Sequence, residues 1–171
     1  MFKEIFQYFI RIFYREPDLI IGRSDPEVYL RRWYIIPHNR FFNIFLHNFL
    51  LSDLSVLHNH PWNFNMSILL HGSYLEHMPK NTEAWLKNES RETIIKLRKP
   101  SIIPIIRYGH AIHKVELLND VFNNPIPVWT IFISGKVIKS WGFYCDWGFR
   151  DHKEFLKKTP ENISITGLGC N

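Results

Sequence analysis

The chain has 171 residues, a length that suits one domain with a proper hydrophobic core. Because 46% of the residues are hydrophobic and 16% are aromatic, the composition excludes a disordered chain. The formal charge of +5 is distributed among acidic residues in short clusters such as Arg31-Arg32 and Lys157-Lys158, which argues against nucleic-acid binding and favours a solvated basic surface.

Residues 1–16 have the pattern of an amphipathic helix. Apolar side chains recur there at helical spacing, with polar residues between them: Phe2, Ile5, Phe6, Phe9, Ile10 and Phe13. No apolar run is long enough for a signal peptide or a transmembrane helix. We expect residues 1–28 to form this helix and a connecting segment on the outside of the domain. Contact of residues 1–16 with a membrane surface is the alternative.

Between residues 29 and 150 the helical period gives way to short runs rich in β-branched and aromatic residues. Turn signals such as His71-Gly72 and Asn123-Asn124-Pro125 separate these runs. The predicted strands are 29–36, 43–51, 63–70, 73–78, 92–98, 102–107, 113–118, 128–134 and 137–145. So many short strands at this spacing predict an all-β barrel or sandwich.

Residues 151–171 are predicted to contain a short helix over 151–158 and a mobile tail from Thr159 onward. Cys145 and Cys170 are the only cysteines, too few for a disulfide framework or a thiolate metal cluster. We therefore expect Cys145 to be a buried thiol and the protein to occupy a reducing, cytoplasmic setting.

Three histidines form the most informative pattern in the chain. His58 and His60 lie two residues apart, so on a strand their imidazoles share a face and can bind one metal ion. A third imidazole has to come from another strand. His113, which opens the predicted strand 113–118, is the preferred third ligand, and His110 in the preceding turn is the alternative.

Other polar residues are candidates for supporting this site. Asp53 and Asn63 flank the histidine pair and could accept hydrogen bonds from metal-bound imidazoles, which hold their tautomer by such bonds. For His47, on the face of Phe45 and Phe49, a packed histidine is the preferred interpretation. An additional ligand or a substrate contact is the alternative for this residue.

The residues predicted to line the pocket are Tyr74, Glu76, Arg107 and Trp129. The guanidinium of Arg107 could pair with a substrate carboxylate or phosphate. Glu76 could act as a general acid or base, although an exposed strand glutamate is the preferred interpretation. Trp62 and Trp141 are expected to pack in the core, with a pocket wall as the alternative.

These residues also carry a resemblance to a known family. The pair His58 and His60 at the end of a strand, Gly72, and a further histidine after Pro104 and Gly109 resemble the two motifs of the cupin superfamily. The chain is also similar to a group of uncharacterised phage and bacterial cupin-like proteins, in the motifs Tyr29-Leu30-Arg31-Arg32-Trp33, Leu46-His47, Ser52-Asp53, His58-Asn59-His60-Pro61-Trp62 and Trp141-Gly142-Phe143. The resemblance implies a double-stranded β-helix, the cupin jelly roll, for residues 29–150.

The ligand set departs from the usual cupin pattern. Many cupins place a glutamate ligand four or five residues after the second histidine, where this chain has Phe64 and Asn65. The remaining three neutral imidazoles resemble the ligands of the cupin-fold thiol dioxygenases, which bind an anionic substrate and dioxygen at Fe(II). The resemblance implies one divalent transition metal, with Fe(II) favoured, and an oxygenase acting on a small polar or anionic molecule. It assigns no catalytic side chain.

The same residues leave other functions open. Three imidazoles could hold Zn²⁺ with a bound water whose pKa falls to about 7, as in a hydrolase or an isomerase. A non-catalytic protein could use the barrel to bind a small molecule or a sugar nucleotide. In each case the expected partner is a small molecule, and cupin-like barrels often also form homodimers.

Overall fold

The protein is described by a computed structural model that covers residue 12 and residues 14–24, 27–54, 56–159 and 164–171. Its strands are β1 (Leu19–Ser24), β2 (Glu27–Tyr34), β3 (Asn43–Phe49), β4 (Leu57–His58), β5 (Phe64–His71), β6 (Tyr74–Pro79), β7 (Thr93–Arg98), β8 (Ser101–Tyr108), β9 (Lys114–Leu117), β10 (Val128–Ser134), β11 (Gly142–Cys145), β12 (Gly148–Asp151), β13 (Leu156–Lys158) and β14 (Ser164–Thr166). Two short helices, α1 (Thr82–Leu86) and α2 (His152–Phe155), complete the described elements.

The strands form two facing layers. One layer is an eight-stranded sheet in the order β13-β14-β1-β2-β3-β10-β5-β8. The other layer contains two three-stranded sheets, β12-β11-β4 and β7-β6-β9. An isolated antiparallel bridge between His58 and His113 joins these two smaller sheets. The all-β prediction is confirmed.

Side-chain alternation in the central strands determines which residues face the space between the layers. Along β10 the buried positions alternate with partly exposed ones, so Thr130 and Phe132 share the inner face. In the neighbouring β3 their register partners are His47 and Phe45. Trp129 lies on the other face of β10, where its ring stacks on Trp33 with centroids 5.5 Å apart.

The outer face of the eight-stranded sheet is covered near residue 12. Ile12 is buried there against Trp33 and Leu46, with Trp129 packed beside them. This contact places the end of the predicted N-terminal helix on the outside of the domain. The predictions for residues 1–11 and 13, including the membrane contact, lie outside the described residues. Within the described part of the chain, no helix has the length and apolar character needed to cross a membrane.

The C-terminal region differs from the prediction. Helix α2 ends at Phe155, and the chain continues as β13 and β14. Strand β14 pairs in parallel with β1 through Ile21 and Ser164. The segment predicted as a tail contains a strand of the large sheet, since residues 164–166 pair with β1 and β13.

A disulfide between Cys145 and Cys170, with Cα atoms 5.6 Å apart, corrects the prediction that Cys145 is a free thiol. Both cysteines lie in an apolar cluster with Phe143 and Phe155, so packing brings them together across a separation of 25 residues. The number of cysteines alone could not reveal this pairing. The disulfide also removes the argument for a reducing setting that rested on unpaired cysteines.

Candidate metal centre and its cavity

A cavity of about 360 Å³ lies between the two layers. Most of the side chains on its wall are apolar or aromatic, and they come from both layers. The histidines at positions 58, 60 and 113 lie on this wall, as do Tyr74 and Arg107. Trp62 and Trp141 also line the cavity, which agrees with the alternative interpretation of these two residues.

The imidazoles of His58, His60 and His113 converge at one place on the wall. One ring nitrogen from each lies within 4.8 Å of the others. The Nε2 atoms of His60 and His113 are only 2.9 Å apart. His113 therefore completes the group, whereas His110 is exposed in the preceding turn beside the ring of Tyr108.

Backbone pairing fixes His58 and His113 relative to each other. The amide of His58 donates to the carbonyl of His113 at 2.9 Å, and the amide of His113 donates back to the carbonyl of His58 at 2.9 Å. On its other side, β4 pairs with β11, where Phe143 is opposite His58. His58 thus lies between two hydrogen-bonded neighbours, although its strand has only 2 residues.

Asn59, which sequence reasoning missed, fixes the segment between the first two histidines. Its side-chain oxygen accepts a hydrogen bond from the amide of Gly142 at 3.0 Å. Its side-chain nitrogen donates to the hydroxyl of Tyr144 at 3.0 Å. Asn59 is buried, and its two hydrogen bonds attach it to β11. The chain therefore leaves the strand after His58, and His60 turns toward the other two rings.

Glu76 holds the third imidazole from behind. Its Oε1 lies 3.0 Å from Nδ1 of His113. Since an ionised carboxylate only accepts hydrogen bonds, Nδ1 carries the proton, which leaves Nε2 free to donate a lone pair. Glu76 is 0% exposed, so the preferred interpretation as an exposed glutamate is wrong. Alternation along β6 turns Tyr74 and Glu76 to the inside together.

Two arginines form hydrogen bonds with Glu76. Arg107 donates from Nε to Oε1 at 2.6 Å, and Arg98 donates from Nε to Oε2 at 2.7 Å. Burial acts to raise the pKa of Glu76, but the hydrogen bond from His113 and the charges of Arg107 and Arg98 outweigh it and lower that pKa. Arg107 also donates to Ser67 and Tyr74, at 3.2 and 3.3 Å. Its guanidinium is therefore engaged by the protein itself.

The two residues predicted to support the histidines differ. Asp53 lies on the cavity wall with Oδ2 3.8 Å from Nδ1 of His58. This distance is too long for a hydrogen bond, but the negative charge of Asp53 still acts on the imidazole. Its carboxylate accepts hydrogen bonds from the Tyr29 hydroxyl and, at 2.6 Å, from the Val115 amide. Asn63 is exposed, and its side-chain oxygen accepts from the Phe64 amide at 3.0 Å, a local contact that supports no imidazole.

Trp129 and His47 lie on opposite faces of the large sheet. The prediction that Trp129 lines the pocket is wrong, because alternation places Thr130 rather than Trp129 on the cavity side. His47 is buried on the cavity wall and stacks on Phe132 with centroids 5.0 Å apart. It lies outside the group of three converging histidines. Its Nε2 accepts a hydrogen bond from Nε of Arg32 at 2.8 Å.

Burial keeps the converging histidines neutral. It lowers the pKa of His58 to about 4, against the opposing charge of Asp53. Burial also lowers the pKa values of His60 and His113, with further lowering by the charge of Arg107. Neutral imidazole is the form that binds a metal ion, so the cluster has the protonation state that a metal site requires.

The spacing of two of the ring nitrogens fits one metal ion. Two nitrogens bound at about 2.1 Å and at a right angle to each other lie about 3.0 Å apart. The Nε2 atoms of His60 and His113 have nearly this separation, at 2.9 Å. The donor set of three imidazoles suits a divalent first-row metal such as Fe(II) or Zn(II).

The fold is similar to that of several solved structures. A point mutant of oxalate decarboxylase from Bacillus subtilis aligns with a TM-score of 0.50 and 13% identity, over 80% of this chain and 32% of that one. An uncharacterised protein with a double-stranded β-helix domain from Klebsiella pneumoniae gives a TM-score of 0.46 and 11% identity, over 72% of this chain and 89% of that one. A DMSP lyase from Ruegeria pomeroyi gives 0.47 and 10% identity, over 69% and 53% of the two chains.

The similarity is one of structure. No protein-family model and no curated protein sequence matches the chain. A protein described as a member of the cupin superfamily, from Desulfitobacterium hafniense, also aligns, at 8% identity. The strand order and the alignment with the oxalate decarboxylase support the double-stranded β-helix fold that the sequence motifs implied.

Proposed function

We propose that this protein is a metal-dependent oxygenase that binds one Fe(II) ion through His58, His60 and His113 and acts on a small polar or anionic molecule. The observation that carries the proposal is the convergence of three neutral imidazoles on the wall of a cavity of about 360 Å³. When bound, Fe(II) would supply the redox chemistry with dioxygen. Three protein ligands leave other positions of an octahedral ion open for a substrate.

The surrounding residues have supporting roles in this proposal. Glu76 orients His113 and fixes the proton on its Nδ1. Asp53 favours cation binding through its charge near His58. Aromatic side chains, among them Trp62, Phe132 and Trp141, restrict water around the site.

The carboxylates near the site favour oxygenation over hydrolysis or isomerisation. A hydrolase or isomerase of this kind needs a group that accepts a proton from water or substrate. Glu76 is fully buried between two arginines and His113, and Asp53 accepts hydrogen bonds from Tyr29 and Val115. Both carboxylates are thus committed to protein donors, which supports a reaction that requires no carboxylate base.

Metal content tests the ligand assignment. Protein purified without chelator is expected to carry about one iron per chain by elemental analysis. His58→Ala, His60→Ala and His113→Ala should each lose the metal, because two imidazoles make a much weaker site. His110→Ala is the matched control and should retain it, since His110 is exposed in a turn. A metal-free wild-type protein, or unchanged metal content in the three variants, contradicts the proposal.

Oxygen uptake tests the reaction class. Protein loaded anaerobically with Fe(II) is expected to consume dioxygen only when a suitable member of a panel of small thiols, amino acids and carboxylic acids is present. Zinc-loaded protein is the control and should consume none. Iron-loaded protein that takes up no dioxygen with any member of the panel would favour a binding protein over an oxygenase.

A further inference from the structure

A row of three polar side chains crosses the cavity wall on the large sheet, facing the layer that carries His58 and His113. Arg32 on β2 is the register partner of His47 on β3, and His47 is the register partner of Thr130 on β10. All three residues line the cavity. Residues directly opposite one another on paired strands have neighbouring side chains, so the row is continuous.

Two members of this row have polar atoms without a protein partner. Nε2 of His47 accepts the hydrogen bond from Arg32, so the proton of the neutral ring is on Nδ1. Within the described part of the chain, Nδ1 of His47 and Oγ1 of Thr130 are buried and have no hydrogen-bond partner. Each residue is only 2% exposed, and buried donors without partners are rare in folded proteins.

Among the residues that the structure describes, Arg32 also has no counter-charge. Its Nε is used by His47, its guanidinium lies over the ring of Phe45 at 4.7 Å, and none of the ion pairs among the described residues includes it. Burial lowers the pKa of Arg32 to about 10, partly opposed by Tyr34 and Tyr29. The side chain therefore remains cationic near neutral pH. Arg107, in contrast, forms an ion pair with Glu76.

We propose that Arg32, His47 and Thr130 bind the carboxylate of a small organic acid with an apolar body. The two Nη atoms of Arg32 form a fork that can donate to both carboxylate oxygens. Nδ1 of His47 and the Thr130 hydroxyl are further donors in the same row. This inference rests on the proposed function, because it names the substrate class of that site. The substrate is an acid whose other end faces the three histidines.

The charge and the walls of the cavity favour a monocarboxylate over a phosphate. Arg32 contributes one uncompensated positive charge, which matches one carboxylate, whereas a phosphomonoester carries about −1.5 to −2 at neutral pH. Leu30, Phe49 and Phe132 line the cavity around the row. Apolar side chains of this kind recognise a hydrocarbon or aromatic body.

Calorimetry on the metal-free protein tests the inference. The probes are butanoate, hexanoate and 3-phenylpropionate, each paired with its neutral amide. At least one acid is expected to bind ten-fold or more tightly than its amide, because hydrogen bonds to a charged group are worth about 1.5–3 kcal/mol. Equal affinity of every acid and its amide, including no binding of either, overturns the inference.

Matched variants locate the carboxylate. Arg32→Gln should weaken binding of the preferred acid about ten-fold or more and leave its amide unaffected. Arg31→Gln removes the same charge from the exposed neighbouring position on β2 and should change neither affinity. Thr130→Val should weaken the acid by about two- to ten-fold. An equal loss in Arg31→Gln and Arg32→Gln overturns the inference.

Two further variants keep the test decisive. If Arg32→Gln does not fold, Arg32→Lys retains the charge without the fork and should lose part of the preference for the acid. His58→Ala should lose the metal but keep the preference for the acid over its amide. Wild-type protein that binds no metal but prefers acids refutes the proposed oxygenase alone, whereas wild-type protein that binds metal without preferring acids refutes this inference alone.

Discussion

Arg107 and Arg32 both reach the same cavity, but their surroundings differ. Arg107 contacts Glu76 through Nη2 at 2.5 Å and also bonds to Ser67 and Tyr74. Arg32 has a neutral histidine and an aromatic ring for neighbours. A buried cation that is paired with a carboxylate supports the fold. A cation that lacks such a partner is available to an anion that enters from outside. Arg107 therefore stabilises the fold, whereas Arg32 binds a ligand.

The largest expected effect comes from removing each arginine in turn. Arg107→Gln should lower the free energy of unfolding by about 3 kcal/mol or more, because it leaves the buried Glu76 without one of its cationic partners. Arg32→Gln should cost less than about 1 kcal/mol, since it leaves no carboxylate unpaired. Urea unfolding of the metal-free proteins measures both values. Similar losses of stability in the two variants would show that Arg107 and Arg32 do not differ in their contribution to the fold.

Metal retention is expected to respond next. Asp53→Ala should weaken metal affinity about ten-fold, because the carboxylate lies 3.8 Å from Nδ1 of His58 and its charge favours a bound cation. Competition with a chromophoric chelator gives the affinity. Asn63→Ala is the control from the same stretch of chain, and its affinity should equal that of the wild type. If Asp53→Ala leaves the metal affinity unchanged, the role of Asp53 is limited to its hydrogen bonds with Tyr29 and Val115.

The smallest expected effect is the contribution of His47, in the polar row on the large sheet, to the pH dependence of stability. Burial first, and then the charge of Arg32, lower the pKa of His47 well below 6.5. The unfolded chain binds a proton at this histidine below pH 6.5 while the folded chain does not, so folded stability falls as the pH falls through that value. Between pH 7.5 and 5.5, His47→Gln should therefore lose roughly 1 kcal/mol less stability than the wild type.

Unfolding of the metal-free proteins at the two pH values measures this difference. His110→Gln is the control, because His110 is exposed in a turn, and its profile should match that of the wild type. A profile of His47→Gln that also matches the wild type would mean that folded His47 takes up the proton. In that case the assignment of its proton to Nδ1 alone would not hold at low pH.

Much of the barrel could be predicted because its strands alternate. The run Val128–Ser134 has the same bounds in the prediction and in the structure, and 43–51 differs from β3 only at its end. The prediction missed β1, where consecutive apolar residues and Gly22 give no alternation, and it placed no strand at β4, which has only 2 residues. Pairing with neighbouring strands, rather than local pattern, determines both elements.

The site also contains residues that the local sequence pattern predicts and residues that it does not. The spacing of His58 and His60 and the position of His113 at a strand start favoured the three rings that converge in the structure, with His110 as the alternative third ligand. Glu76 was named, but its burial depends on Arg107 and Arg98 from β8 and β7, which no local pattern shows. The sequence places Arg32 in a basic pair and in one of the family motifs, and neither pattern assigns it to the cavity. Its place on the inner face with Leu30, two residues away along β2, was the available signal.

The bridge between His58 and His113 has a consequence for folding. Two backbone hydrogen bonds at this bridge join the smaller sheets, and the same two residues supply imidazoles to the cluster. A chain whose bridge has not formed cannot bring these rings together, so closure of the barrel and assembly of the cluster are one cooperative event. A metal ion that bound only the closed form would shift the equilibrium toward closure by mass action, and the folded fraction of the chain would then depend on the metal supply.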